Sequence, residues 1–198
     1  MEAVEKIKTG LYFGSFNPIH TGHLMVAEYI REHTDLDQVW LVVSPHNPFK
    51  QKSTLAPDYA RLEMVRLALE GFEGLRACDA EFYLPRPSYT CDTLLHLSQK
   101  YPERQFCIVM GADTLAGLER WKNYEFLAKY FPIYVYPRPG YANDNPAVGQ
   151  AQTTLIRNAP QVEISASAIR DDLRAGRNVR ALVPAPVLDY IERSGLYR

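Results

Sequence analysis

The sequence lacks most of the features that would name a function class at once. It has three cysteines, Cys78, Cys91 and Cys107, widely spaced and without a Cys-x-x-Cys pair. That excludes a disulfide framework or a zinc ribbon and fits small, buried, reduced thiols. No apolar run is long enough to span a bilayer, and Met1–Lys6 carries acids where a signal peptide would be basic and then apolar. No basic tract exists either: 22 Lys and Arg face 23 Asp and Glu, mixed along the chain. Neither duplex nucleic acid nor a membrane surface is therefore an expected partner, and the cytoplasm is the expected location. A phosphate ligand would have to be held by a local site. There is no internal repeat, no GxGxxG, and no glycine-rich loop ending in Lys-Ser/Thr, which sets aside the dinucleotide fingerprint and the P-loop.

What is present is an alternation. Ile7–Phe13, Val39–Val43, Phe106–Met110 and Ile133–Tyr136 are short β-branched and aromatic runs that read as buried strands, and Glu81–Leu84 is a further candidate. Helical patterns lie between them, over Thr21–His33, from Pro57 and Asp58 through Leu69, over Thr90–Leu97 and over Glu125–Lys129. Such an order predicts an α/β fold, a doubly wound, Rossmann-like parallel sheet covered on both faces. The 198 residues suit one domain. Tyr141–Pro146 is polar and turn-rich, and beyond it the pattern turns helical. Ser167–Arg174 stops at Gly176, and Pro184–Arg193 has Pro at its start and Gly195 past its end, a small C-terminal helical segment over roughly 164–198.

The most informative stretch is Gly14-Ser15-Phe16-Asn17-Pro18-Ile19-His20-Thr21-Gly22-His23, where the first strand becomes the first helix. In open α/β sheets ligands bind in that crevice, and the N–H groups of a helix start favour an anion. Gly14 and Gly22 allow close backbone approach, and His20 and His23, three apart, share one side of the first turn. Two imidazoles there can each donate to phosphate oxygens. A single His at a helix start would more often be a cap or a surface residue; two, with two glycines, are harder to read that way.

The pattern GxFxPxHxGH over Gly14–His23 resembles the hallmark of the nucleotidyltransferase superfamily, and Ile164-Ser165-Ala166-Ser167-Ala168-Ile169-Arg170 resembles its second signature, ISxSxIR. Taken alone, that second stretch would read as a helix cap with a solvated Arg. The middle of the chain narrows the resemblance to bacterial nicotinate-nucleotide adenylyltransferases. Arg86-Pro87-Ser88-Tyr89-Thr90-Cys91-Asp92-Thr93-Leu94 is similar to their RPSYTxDTL segment, and Met110–Leu115 with Trp121 to their GxDxLxxLxxW. Arg138-Pro139-Gly140, the proline-rich Ser44–Lys50 loop and the ending Val183–Tyr197 fit as well. Phe13 and Asn17 depart from it, standing where many relatives have Gly and Asp.

The resemblance implies that the chain, as a single nucleotidyltransferase domain over 1–198, transfers the adenylyl group of ATP to nicotinate mononucleotide in NAD biosynthesis. By the same resemblance Gly14, Ser15, Phe16, His20, His23, Arg138, Ile164, Ser167 and Arg170 would bind ATP. His20, His23, Ser167 and Arg170 would act on its phosphates, with His23 nearest the α-phosphate and His20 on the leaving group. Lys50, Tyr89, Thr90, Gly111, Asp113 and Trp121 would hold the acceptor, Asp113 at a ribose hydroxyl and Trp121 on the pyridine ring. From the residues alone, Asp113 reads equally as a helix N-cap, Trp121 as a core or surface anchor, and Lys50 as a solvated cation. Magnesium would arrive with ATP, since no carboxylate cage stands out. Self-association into a homo-oligomer is left open. The competing readings are an adenylyltransferase acting on phosphopantetheine or on nicotinamide mononucleotide, and a nucleotide sensor without turnover.

Overall fold

The computed structural model describes residues 5–45, 55–141 and 152–198. Its described strands are β1 (Ile7–Gly14), β2 (Gln38–Val43), β3 (Leu75–Cys78), β4 (Arg104–Gly111), β5 (Ile133–Tyr136) and β6 (Thr153–Leu155). They form one parallel sheet in the order β3-β2-β1-β4-β5-β6, with Gly14 paired to Val43 and Tyr12 to Val109. The chain winds outward from β1 on one side, then crosses back to β4 on the other. The crevice between the carboxyl ends of β1 and β4 is therefore the topological switch point.

The α-helices are α1 (Thr21–His33), α2 (Asp58–Ala68), α3 (Thr90–Lys100), α4 (Ala112–Leu115), α5 (Tyr124–Tyr130), α6 (Ala166–Arg174) and α7 (Ala185–Ser194). Strand side chains alternate between two cores, as the two-residue pleat requires. Val39, Leu41, Val43, Val109 and Tyr134 face a core shared with α1, α2 and the C-terminal helices. Leu11, Trp40, Val42, Ile108 and Val135 face the one shared with α3, α4 and α5. Each Leu or Ile fully buried there contributes roughly 1.5–3 kcal/mol before chain entropy is counted. Among the described residues no helix is long and apolar enough to cross a membrane.

One sequence expectation needs correction, and one strand was not anticipated. Glu81–Leu84 is not a strand: Ala80–Tyr83 is a short 3₁₀ helix, and the strand beside β2 is β3. In β3 the charged Arg76 interrupts the apolar pattern, and it is accommodated by laying its guanidinium 5.0 Å from the centre of the Trp40 ring. Strand β6, three residues at the sheet edge, is too short to show a period in sequence. Most of the proline-rich loop after β2, with Lys50, and most of Tyr141–Pro146 lie outside the described residues.

The C-terminal helical segment helps to position the site. Val187, Leu188 and Ile191 of α7 share a core with Leu62 and Val65 of α2. The N–H and hydroxyl of Thr21, the first residue of α1, both donate to the Leu182 carbonyl, at 2.9 and 3.1 Å.

Candidate active site

A cavity of about 1010 Å³ opens over the carboxyl ends of β1 and β4. Its floor is the loop from Gly14 to His20. Phe16 has φ +43°, a left-handed conformation uncommon for a bulky residue. Burial holds it there: its ring is 1% exposed and lies where a side chain on Gly14 would be, with a Cβ meeting Phe16 Cζ at 2.7 Å. Glycine at 14 is thus required by the aromatic packed under the loop.

His20 occupies the N-cap position of α1, and His23 stands three residues in. Their rings stack 3.7 Å apart, and Phe16 meets His23 edge-on at 5.0 Å. Gly22 makes room for this, since a Cβ there would lie 3.2 Å from His20 Nδ1. The His20 backbone N–H donates to His23 Nδ1 at 3.3 Å. An accepting Nδ1 carries no proton, so in the neutral ring the proton sits on Nε2, which can then donate.

His20 is held neutral. Burial first, and then the positive charge of Arg138, lower its pKa from 6.5 to about 4. The unfolded chain therefore takes up this proton before the folded one does. Stability from this group is complete above about pH 6.5 and is lost as pH falls towards about 4, on the order of 3 kcal/mol across the window. His20→Asn should lose less stability than the parent between pH 7 and pH 4.5 in urea titrations; parallel losses would remove His20 from this account.

Across the cavity stands α6. Its N-cap is Ser165, whose Oγ accepts from the Ala168 N–H at 3.5 Å, so the capping role anticipated for this stretch falls to Ser165. Ser167 is the second helical residue, and its Oγ accepts from Arg170 Nη2 at 3.2 Å. Arg170 Nη1 donates to the Asn17 carbonyl at 2.8 Å, tying α6 to the Gly14–His20 loop. This Arg is thus not a freely solvated residue. Ile164 packs against the start of α1, its Cβ 3.5 Å from where a Gly22 Cβ would be.

The β4–β5 side completes the cleft. Arg138 donates to the Tyr136 hydroxyl at 3.1 Å, lies over that ring at 4.9 Å, and stands 3.9 Å from Asp113. Asp113 is not an N-cap: Gly111 holds that position, and a Cβ on Gly111 would meet Asp113 Oδ1 at 2.2 Å. The Nε atoms of Arg138 and Arg170 are buried with no hydrogen-bond partner among the described residues. Further along the same cavity lie Tyr89, Thr90, Trp121 and Lys122. Thr90 opens α3, where backbone N–H groups have no intrahelical acceptor. The Trp121 backbone N–H is already used, donating to the Leu118 carbonyl at 2.9 Å. Lys122 Nζ bonds Asp92 at 2.9 Å and lies 4.5 Å from the centre of the Tyr89 ring, closing this end. Of the predicted site residues, all but Lys50 fall within the described structure. All of these line the cavity, Gly14, Ser15, Gly111 and both histidines among them.

The comparisons with known proteins agree with this geometry. Residues 11–172 match the cytidylyltransferase-like family model. A Flavobacterium johnsoniae protein named "Probable nicotinate-nucleotide adenylyltransferase" is 46% identical over 97% of this chain and 100% of its own length. One of the same name from Flavobacterium psychrophilum is 47% identical over 97% and 100%. The chain belongs to the nicotinate-nucleotide adenylyltransferase family. The fold agrees: a Plasmodium falciparum nicotinic acid mononucleotide adenylyltransferase solved with NaAD superposes with a TM-score of 0.79 at 20% identity, over 96% of this chain and 97% of that one.

For a nucleotidyltransferase of this family the chain also uses residues that pattern reading passed over. Asn17, noticed only as a departure, accepts from the Ala56 N–H at 3.0 Å and the Tyr197 hydroxyl at 2.7 Å through Oδ1. Tyr12 and Tyr136 pair their hydroxyls at 3.2 Å, with the Tyr12 ring 6.2 Å from that of His23. Arg61, fully buried, was hidden inside an amphipathic helix; its place on the stripe with Val65 and Ala68 was the available signal.

Proposed function

We propose that this chain catalyses attack of the 5′-phosphate of nicotinate mononucleotide on the α-phosphorus of ATP. The new bond joins the acceptor's phosphate oxygen to that phosphorus. The bond from the α-phosphorus to the bridging oxygen breaks, and pyrophosphate leaves with the electron pair. The acceptor phosphate is already an anion, so no general base is needed, and catalysis is positioning plus charge stabilisation. The observation that carries the reading is the convergence of His20, His23, Arg138 and Arg170 on one cavity, two of them with unspent guanidinium N–H groups.

In this reading Gly14, Ser15 and Phe16 lie under the triphosphate. His23 Nε2–H donates towards the α-phosphate. His20, Ser167, Arg170 and Arg138 stabilise the departing pyrophosphate, with Ile164 keeping α6 against the phosphate-binding loop. Asp113 and Gly111 meet the acceptor ribose, and Tyr89, Thr90 and Trp121 its pyridine end. Lys50 is proposed as a further acceptor contact. The donors facing the cavity are imidazole, hydroxyl and guanidinium, which suit anions, and no group of three or more His, Cys, Asp or Glu that could hold a metal gathers among the described residues. Such a donor set fits a divalent cation, proposed to be magnesium, that is held by phosphate oxygens and water and offsets their charge. All three cysteines are free and buried, in keeping with a proposed cytoplasmic location and a single nucleotidyltransferase domain over 1–198.

The decisive test is pyrophosphate release from ATP and magnesium with nicotinate, nicotinamide or phosphopantetheine acceptors. Turnover that strongly prefers nicotinate mononucleotide is the expected result. ATP binding without release from any acceptor would overturn it in favour of a sensor. Trp121→Ala should raise the acceptor KM roughly 10- to 100-fold, the worth of one ring stack, and leave the ATP KM within about threefold. An equal rise in both would remove Trp121 from the acceptor pocket.

A further inference from the structure

Among the described residues Arg61 is the one fully buried large cation, and the proposed chemistry leaves it unused. A guanidinium with no access to water must spend its donors on the protein, and this one spends them on loops that border the cavity. Nη1 donates to the Ser15 carbonyl at 2.6 Å and to the Ser44 carbonyl at 2.8 Å. Nε donates to the Ala56 carbonyl at 3.1 Å, and Nη2 reaches the Pro45 carbonyl at 3.5 Å. One planar group thus joins the phosphate-binding loop at Ser15 to the chain on both flanks of residues 46–54. The remaining Nη2 bond, at 2.8 Å, goes to Asp58 Oδ1. The other oxygen of that carboxylate, Oδ2, accepts from Arg86 Nη2 at 2.9 Å. Arg86 begins the Arg86–Thr90 stretch that carries Tyr89 and Thr90.

We propose that Arg61 is a positioning residue and that Arg61–Asp58–Arg86 is a strut coupling the phosphate-binding loop to the acceptor loop. The proposal rests on the reaction assigned above. Arg61 touches no reacting atom; it sets the distance between the two loops that must bring nucleophile and α-phosphorus into line. Lysine cannot replace it, because one ammonium cannot span five acceptors in the geometry of a planar fork. Asp58→Asn makes a finer cut. The amide oxygen still accepts from Arg61, while its NH₂ now faces Arg86 and breaks only the outer link.

Arg61→Lys and Asp58→Asn should be assayed well below their melting midpoints, so that each is fully folded, beside binding of a non-hydrolysable ATP analogue. Arg61→Lys is expected to lose roughly 10- to 100-fold in kcat, as small misplacements of reacting groups do, and to bind the analogue more weakly. Asp58→Asn is expected to raise the acceptor KM about five- to tenfold with the ATP KM within about twofold. Folded variants that match the parent in kcat, both KM values and analogue affinity would reduce Arg61 to a structural residue and overturn the proposal. Should Arg61→Lys not fold, Asp58→Asn decides alone, and an unchanged acceptor KM sinks the strut. A parent that binds the analogue but releases no pyrophosphate would fail the functional reading instead. Analogue binding by Arg61→Lys would then still decide the role of Arg61.

Discussion

His23→Ala should abolish measurable adenylyl transfer while leaving the protein folded. The imidazole lies at the cavity floor, stacked on His20 and set edge-on to Phe16, and its Nδ1 is engaged by the His20 N–H. That bond leaves the proton on Nε2, the atom that in the proposed reaction donates towards the transferring phosphate. Losing one preorganised donor of this kind costs roughly 10²- to 10³-fold in kcat. The ring is only partly buried, so truncation makes no large core cavity. His23→Asn separates the two jobs of the ring. An Asn oxygen can still accept from the His20 N–H, yet the shorter side chain offers no donor where Nε2 stood. Both variants should therefore be inactive in pyrophosphate release and near the parent in thermal melting. Activity close to the parent in His23→Asn would mean that His23 serves only to cap α1.

Arg170→Ala should produce the second large loss, of a different kind. Its guanidinium bridges the Asn17 carbonyl and Ser167 Oγ and keeps a buried Nε–H unspent. In the proposed reaction, removal takes away a charge that would meet the triphosphate, and it also unlinks α6 from the Gly14–His20 loop. The expected result is a fall of about 10²-fold in kcat/KM for ATP, with the acceptor KM little changed. Arg170→Lys should recover only a small part, because an ammonium keeps the charge but not the planar fork. Equal losses towards both substrates would point to general loosening of the phosphate-binding loop instead.

The difference between these variants and those at Arg61 reflects how the site was legible. His20, His23, Ser167 and Arg170 sit in local patterns, a strand end followed by glycines and histidines, and a serine-rich helix start. Such patterns survive in one dimension because the groups lie within a turn or two of each other. Asp113, by contrast, read equally well as a cap, and only the backbone, which puts Gly111 at the N-cap and Asp113 second in the helix, removed that role. The stretch Ile164–Arg170 read as a helix cap without saying which serine held it, since either could open the helix and only the backbone dihedrals choose Ser165. The third strand was placed six residues late because Arg76 broke its pattern, its charge answered by a tryptophan far away in sequence.

The sequence by itself determined the alternation that makes a parallel sheet, the loop that must lie at the end of β1, and the local clusters of histidine, serine and arginine proposed to meet phosphate. Those follow from periodicity, from turn-forming residues and from chemistry carried by neighbours along the chain. The tertiary structure alone decided the rest. It neutralised His20 through burial and the approach of Arg138, and it brought Tyr197 onto Asn17 across 180 residues. It also enclosed Arg61 among carbonyls from separate loops. Burial and long-range contact have no spacing in sequence, which is why a buried arginine on an apolar stripe was passed over there.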